Sequence, residues 1–142
     1  MNSIKNECGF SLLELLAAVV IVGILAAVAI PSYMSSVTKG SRASVQTELL
    51  QLAALQEKIY LNSNSYSTAA ITDSYNGQSS GGLGWTATSR DDKYTFSCSA
   101  CTANTYTLTA TPVAGKSQAA DGSLSIDQTG NKLWTGGSAA NW

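Results

Sequence analysis

The chain has 142 residues, a formal net charge of −1 and 12% charged residues, against roughly 25% in an ordinary globular protein. That length fits one domain, and the scattered Lys and Arg give no basic stripe of the kind that binds nucleic acid in bulk. There is no histidine, which removes the commonest general base and metal ligand and any Ser-His-Asp or Cys-His arrangement. No phosphate-binding glycine loop occurs either, so no enzyme activity, cofactor or metal is expected.

From Phe10 to Ile30 only Ser11, Glu14 and Gly23 are not apolar, and no charge occurs from Leu15 to Thr38. The run is long enough for a transmembrane helix of about 20 residues. It is too long for the apolar region of a secretory signal, and Pro31-Ser32-Tyr33 at its end is not a small-residue cleavage site. As a single-pass anchor, with Lys5 and the initial amine holding the start in the cytoplasm, it would export the remainder. An anchor does not account for Glu14. A carboxylate in hydrocarbon costs at least a few kcal/mol and marks a functional residue, and no positive partner lies near it in sequence.

The residues Gly9-Phe10-Ser11-Leu12-Leu13-Glu14-Leu15-Leu16, followed by the apolar run and Ala29-Ile30-Pro31-Ser32-Tyr33, resemble the class III signal of type IV pilins. The resemblance is close over residues 5–33 and agrees in outline beyond. It implies that a prepilin peptidase cuts between Gly9 and Phe10, removing residues 1–9 as a leader, and N-methylates Phe10. The amine created at Phe10 is then the partner of Glu14, on a neighbouring subunit, and fixes the axial stagger. A buried polar group that sets register is the best-attested use of such residues. The resemblance further implies inner-membrane residence before assembly, an extracellular filament afterwards, and other pilin subunits as partners.

Two positions inside the run carry competing readings. Pro31 suits the first turn of a new helix or removes a hydrogen bond within a continuing one, and a kink is expected because apolar periodicity continues on both sides. Gly23 weakens a helix by about 1 kcal/mol relative to alanine and, with Ala27, forms a small-xxx-small pair suited to close helix contact. In pilins such a stretch can lose helical order on assembly, which makes residues 23–31 the candidates.

Beyond Pro31, Met34, Val37, Ser41, Val45, Leu49, Leu52, Gln56 and Ile59 recur every three or four residues, a helical stripe. Lys39, Arg42, Glu48, Glu57 and Lys58 fall largely off it. Asn-Ser-Asn-Ser from Asn62 signals the helix end, giving about 50 residues, or ~75 Å. The expected fold is α+β, the pilin fold: a long N-terminal helix, half of it protruding (10–33), packed by its second half on a small antiparallel sheet of three or four strands. The first half must bury itself in the membrane or among copies.

The globular part, 34–142, divides into the second half of the helix, a loop, a sheet and a tail. Residues 63–90 read as loop, with Tyr66, Tyr75 and Trp85 as packing anchors or as a contact surface. Period-two alternation then marks strands: Tyr94, Phe96 and Cys98; Tyr106, Leu108 and Ala110 between threonines; Leu124 and Ile126. Gln128–Asn131 reads as a turn into a last strand at Lys132–Thr135. These place the sheet within 92–135 and leave 136–142 as a tail.

The three cysteines are Cys8, Cys98 and Cys101. Cleavage after Gly9 removes the odd one. Cys98-Ser-Ala-Cys101, between two strands in an oxidising compartment, is expected to close a small disulfide turn. A redox Cys-x-x-Cys lacks its βαβ context, and a zinc site lacks two ligands. Many pilins also fasten the C-terminal region with a disulfide, which this tail cannot make; docking of Trp142 by packing is the expected substitute.

The function that the resemblance implies is that of a structural pilus subunit. Two alternatives remain open. One is a minor pilin acting as a binding module for DNA or a surface ligand, for which Arg90, Lys93, Lys116 and Lys132 would have to cluster. The other is a type II secretion pseudopilin, whose calcium-binding acidic loop is not evident; Asp121 and Asp127 are weak candidates.

Overall fold

The computed structural model describes residues 11–137 and Trp142. Gly9, Phe10 and Cys8 lie outside the described residues, as do tail residues 138–141. The element order is α1 (Leu12–Ser63), β1 (Tyr94–Ser99), β2 (Thr107–Pro112), β3 (Leu124–Asp127) and β4 (Lys132–Trp134). Two compact units are distinguished, one ending at Val37 and the other running Thr38–Trp142.

In the first unit, helix α1 starts with the Glu14 and Leu15 amides bonded to the Ser11 carbonyl at 3.0 and 3.1 Å. It runs without interruption through Gly23 and Pro31. No residue from 11 to 37 is buried. By length and composition this helix can cross a membrane.

In the second unit, the helix buries Ser41, Val45, Glu48, Leu49, Leu52, Ala53, Gln56 and Ile59, a one-sided stripe with the three-to-four spacing of an amphipathic helix. Glu48, placed off the stripe by its charge, is a correction: it is 3% exposed. The helix ends where Asn64 turns left-handed, at φ 51°, while its amide still bonds Tyr60 O at 2.7 Å. Asparagine tolerates that conformation and caps helices this way.

The four strands form an antiparallel meander in the order β1-β2-β3-β4. Its register sets Cys98 opposite Leu108, Leu108 opposite Ile126, and Ile126 opposite Lys132. Alternation puts Tyr94, Phe96, Leu108, Ala110, Leu124 and Ile126 on one face, all buried with the helix stripe in a single core. The threonines of β2 stand on the other, more open face, as a one-sided sheet requires.

Residues 64–93 contain no named helix or strand, but they are fastened. Gln56 and Ser67 exchange two hydrogen bonds, at 2.9 and 3.3 Å. The Tyr66 amide donates to Ala103 O at 2.9 Å. Tyr66, Ile71 and Leu83 are buried, and Tyr75 and Trp85 pack against the core, so these aromatics act as packing anchors. At Gly82 a side chain would run into the carbonyl oxygens of Ala70 and Asp73; only glycine fits that crossing.

Cys98 and Cys101 are joined in a disulfide across the β1–β2 turn. The C-terminal end is held without another. Trp134 Nε1 donates to Asp121 O at 2.7 Å, and Trp142 Nε1 donates to Ser125 O at 3.2 Å.

Candidate assembly and binding sites

Glu14 sits in the first turn of α1 with Leu12, Leu13, Leu15 and Leu16 around it, all at least 57% exposed. It makes no ion pair among the described residues. At Gly23 nothing among the described residues lies within 4 Å of where a side chain would begin, so none of them demands glycine there. Of the residues expected from sequence to act in assembly, Glu14, Gly23 and Pro31 therefore share one exposed apolar helix. Gly9 and Phe10 are not described.

The four cations that would have to cluster for a DNA-binding patch do not all meet. Arg90 and Lys93 immediately precede β1, and Lys116 follows the end of β2, where the Val113 amide bonds Lys93 O at 2.8 Å. These three share one end of the sheet. Lys132 opens β4 opposite Ile126, which puts it at the other end. The first group is also compensated. Asp91 and Asp92 lie between Arg90 and Lys93, and Lys93 Nζ reaches Ser41 Oγ at 2.8 Å and Asp91 Oδ2 at 3.8 Å. Burial pushes the Asp91 carboxyl up, but hydrogen bonds from Ser41, Ser89 and the Lys93 amide, with the Lys93 charge, hold it below its ordinary range.

At the opposite end, Lys132 Nζ lies 4.8 Å from the Trp142 ring centre and Lys58 Nζ lies 5.6 Å from that of Tyr75. Glu57 accepts the Tyr66 and Tyr106 hydroxyls at 3.0 and 3.2 Å. Burial, reinforced by Glu57, pushes the Tyr66 hydroxyl up to about 12 and raises Tyr106 as well.

The two acids weighed as calcium ligands have other partners. Asp121 accepts from Arg42 Nε at 2.9 Å, from Arg42 Nη2 and from Tyr94 OH at 2.6 Å. Asp127 Oδ1 accepts from the Thr129 amide and hydroxyl and from the Asn131 amide at 2.6–3.0 Å, which lowers its pKa, the Thr129 side chain contributing most. Among the described residues no three His, Cys, Asp or Glu side chains gather to hold a metal.

Sequence reasoning missed Arg42 and Asp121 as a pair, since 79 residues separate them. It also missed Glu48, although Ser41, Val45, Glu48 and Leu52 follow the same four-three-four spacing as the core.

A helix whose apolar half finds no cover among the described residues, continuing into a half that packs on a four-stranded meander, is the architecture of type IV pilins, which are structural proteins. Residues 4–30 match the prokaryotic N-terminal methylation motif. Residues 31–125 match the family described as "Type IV minor pilin ComP, DNA uptake sequence receptor", and the chain belongs to that family. It is also similar to the type II secretion system core protein G of Klebsiella michiganensis, 31% identical over 64 residues. That match covers 45% of this chain and 45% of that protein, so the chain spans less than half the length of this curated relative.

Proposed function

We propose that the chain is a filament subunit released by cleavage between Gly9 and Phe10, N-methylated at Phe10, and polymerised through its first helix. The observation that carries this is the run from 11 to 37, apolar, without one buried residue, and bearing a single carboxylate at Glu14. Such a surface stays out of water only in a bilayer or among other helices. The chain would wait in the inner membrane and leave it in an extracellular pilus, with a prepilin peptidase and other pilins as partners. The Phe10 amine of a neighbour neutralises Glu14 and sets the stagger, and Gly23 and Pro31 let the helix bend or locally melt during packing. Glu14→Val should insert and be cleaved normally yet reach sheared filaments at about a tenth of the normal level or less, the loss expected for 1.4 kcal/mol of contact. Wild-type yield from that variant, or filament subunits that still begin at Met1, would sink the proposal.

A second reading, favoured by the description of the family matched over residues 31–125, adds DNA capture to this role. The chain would then act as a minor pilin presenting a DNA-contacting end. The assay is anisotropy of labelled duplexes of differing sequence against salt, with the chain in detergent. Binding without sequence preference, lost entirely at physiological salt, would leave the subunit purely structural.

A further inference from the structure

Glu48 and Trp85 meet at a pocket of about 220 Å³ lined by Glu48, Gly84, Trp85, Thr86 and Arg90. Glu48 is 3% exposed. One of its oxygens takes only a long bond from the Arg90 amide, at 3.5 Å. The other, Oε2, is buried with no hydrogen-bond partner among the described residues, and Trp85 Nε1 is in the same condition. A buried carboxylate oxygen without a donor is costly and is normally matched by a cation or by several N–H groups. Arg90 lines the rim, yet its guanidinium makes no ion pair or hydrogen bond among the described residues.

We propose that this pocket receives the ammonium group of a lysine from a neighbouring pilin subunit, and that in a contact between copies of this chain the lysine is Lys39. The inference rests on the filament reading above. A filament is built from heterologous contacts, in which one face of each subunit meets a different face of the next. Lys39 and Glu48 satisfy that condition on one helix. They are nine residues apart, which at about 100° per residue puts them half a turn round the helix from each other and about 13 Å along it. They cannot pair within a chain. Lys39 is exposed and in no ion pair among the described residues.

The order is also informative. Lys39 precedes Glu48, as the amine proposed at Phe10 precedes Glu14. A parallel neighbour shifted along the helix therefore brings both cations toward both carboxylates in the same sense. The shifts are about 6 Å for four residues and about 13 Å for nine, a difference that a flexible lysine stem can span. The Trp85 ring beside Glu48 provides a surface that suits the lysine stem and its charge.

The test is carbodiimide coupling on sheared filaments carrying the full chain. The reagent joins a carboxylate to a touching amine as an amide, and the water lost hydrates the carbodiimide to its urea. Peptide mass spectrometry should find Glu48 joined to lysine in filaments and not in the detergent-dispersed chain. A Lys39 partner identifies a contact between copies, and a lysine peptide of another pilin identifies a mixed contact. Glu48→Gln should lower incorporation about tenfold or more, as removal of one partner from a buried charge pair does, without lowering the melting temperature of the dispersed chain. Filaments that contain the chain with Glu48 unlinked overturn the inference while leaving the filament reading intact. So does an Arg90→Gln variant whose dispersed chain melts much lower, because Arg90 would then be the partner. A chain absent from filaments overturns both.

Discussion

Arg42 and Asp121 offer the sharpest test of how the globular half is held together. The Arg42 guanidinium gives two hydrogen bonds to the Asp121 carboxylate and lies 3.8 Å from the Trp134 ring centre. Tyr94 OH adds a third bond to the carboxylate, and Trp134 Nε1 reaches the Asp121 carbonyl. The Asp121 side chain is 4% exposed and that of Arg42 20%. Arg42→Met keeps most of the stem against Trp134 but leaves the carboxylate with Tyr94 alone. Breaking a fully buried pair costs about 3–5 kcal/mol; the partial exposure of Arg42 puts this loss near the lower end, about 3 kcal/mol. For a unit of this size that corresponds to a fall in melting temperature on the order of 15 °C. Arg42→Lys should fall between, since a lysine keeps the charge and loses the fork. The decisive variant is Arg42→Met with Asp121→Leu. With both charges gone no carboxylate is stranded, so the pair should cost less than the two single changes summed, by about 2 kcal/mol. Near-UV circular dichroism melts of the chain in detergent read this through the tryptophans. Additivity to within about 0.5 kcal/mol would refute the reasoning, as would disappearance of the Arg42→Met effect in about 1 M salt, where exposed pairs are screened.

Replacing Cys98 and Cys101 by serine opens a four-residue loop and should cost about 2 kcal/mol, seen as a lower urea midpoint; no change on reduction of the wild type would contradict it. Tyr66, Tyr94 and Tyr106 are all raised above the ordinary tyrosine value, burial being the main cause. A raised folded pKa favours the protonated fold, so this stability is complete below pH ~10 and is lost as pH climbs through the folded values. Melting temperature should therefore hold to about pH 10 and then drop, less steeply in Tyr66→Phe/Tyr106→Phe; ionisation of all six tyrosines at the ordinary value without unfolding would refute it. Gly23→Ala meets no atom of the described residues and adds about 1 kcal/mol of helix propensity. It should leave cleavage unchanged and slow filament assembly in a pulse-chase, and an unchanged assembly rate would remove Gly23 from the mechanism.

The core was legible because its residues are apolar and periodic. Val45, Leu49, Leu52 and Ile59 occur at helical spacing, and Tyr94, Phe96, Leu108, Ala110, Leu124 and Ile126 alternate; all ten are buried together. The disulfide followed from two cysteines three apart between strands. What remained hidden depends on pairings far apart in sequence. Charge alone placed Glu48 and Arg42 on the outer face, whereas a loop more than 40 residues downstream covers the first and Asp121 holds the second. Whether Lys132 joins Arg90 and Lys93 depends on the strand register, which puts the start of β4 at the opposite end of the meander. The tail was legible in part: a chain end without cysteine pointed to docking by Trp142, which packs against the core, but an indole announces no partner, so its bond to Ser125 O and that of Trp134 to Asp121 O were hidden.

The distribution of charge bounds how the domain could hold DNA. Eight Lys and Arg face nine acids over the whole chain. Arg42 is committed to Asp121, and Lys93 to Ser41 and Asp91. At the β1 end this leaves Arg90 and Lys116, with Asp91 and Asp92 among them. At the other end Lys58 and Lys132 stand over aromatic rings, and Glu57 beside Lys58 is engaged by two tyrosine hydroxyls. Two cations neutralise about two phosphates, giving a salt slope near −2, against about −10 for a strongly electrostatic binder. Affinity of that origin is weak, so a useful receptor of this composition must draw on base or groove contacts, or on several subunits acting at once along a filament, where the second contact is effectively intramolecular. The Lys58–Tyr75 and Lys132–Trp142 end is better suited to the first route, because aromatic faces beside lysines add stacking that salt does not screen. A polymer would supply the second route by construction; by that route, the assembly proposed through Glu14 would be a condition for DNA capture rather than a separate property.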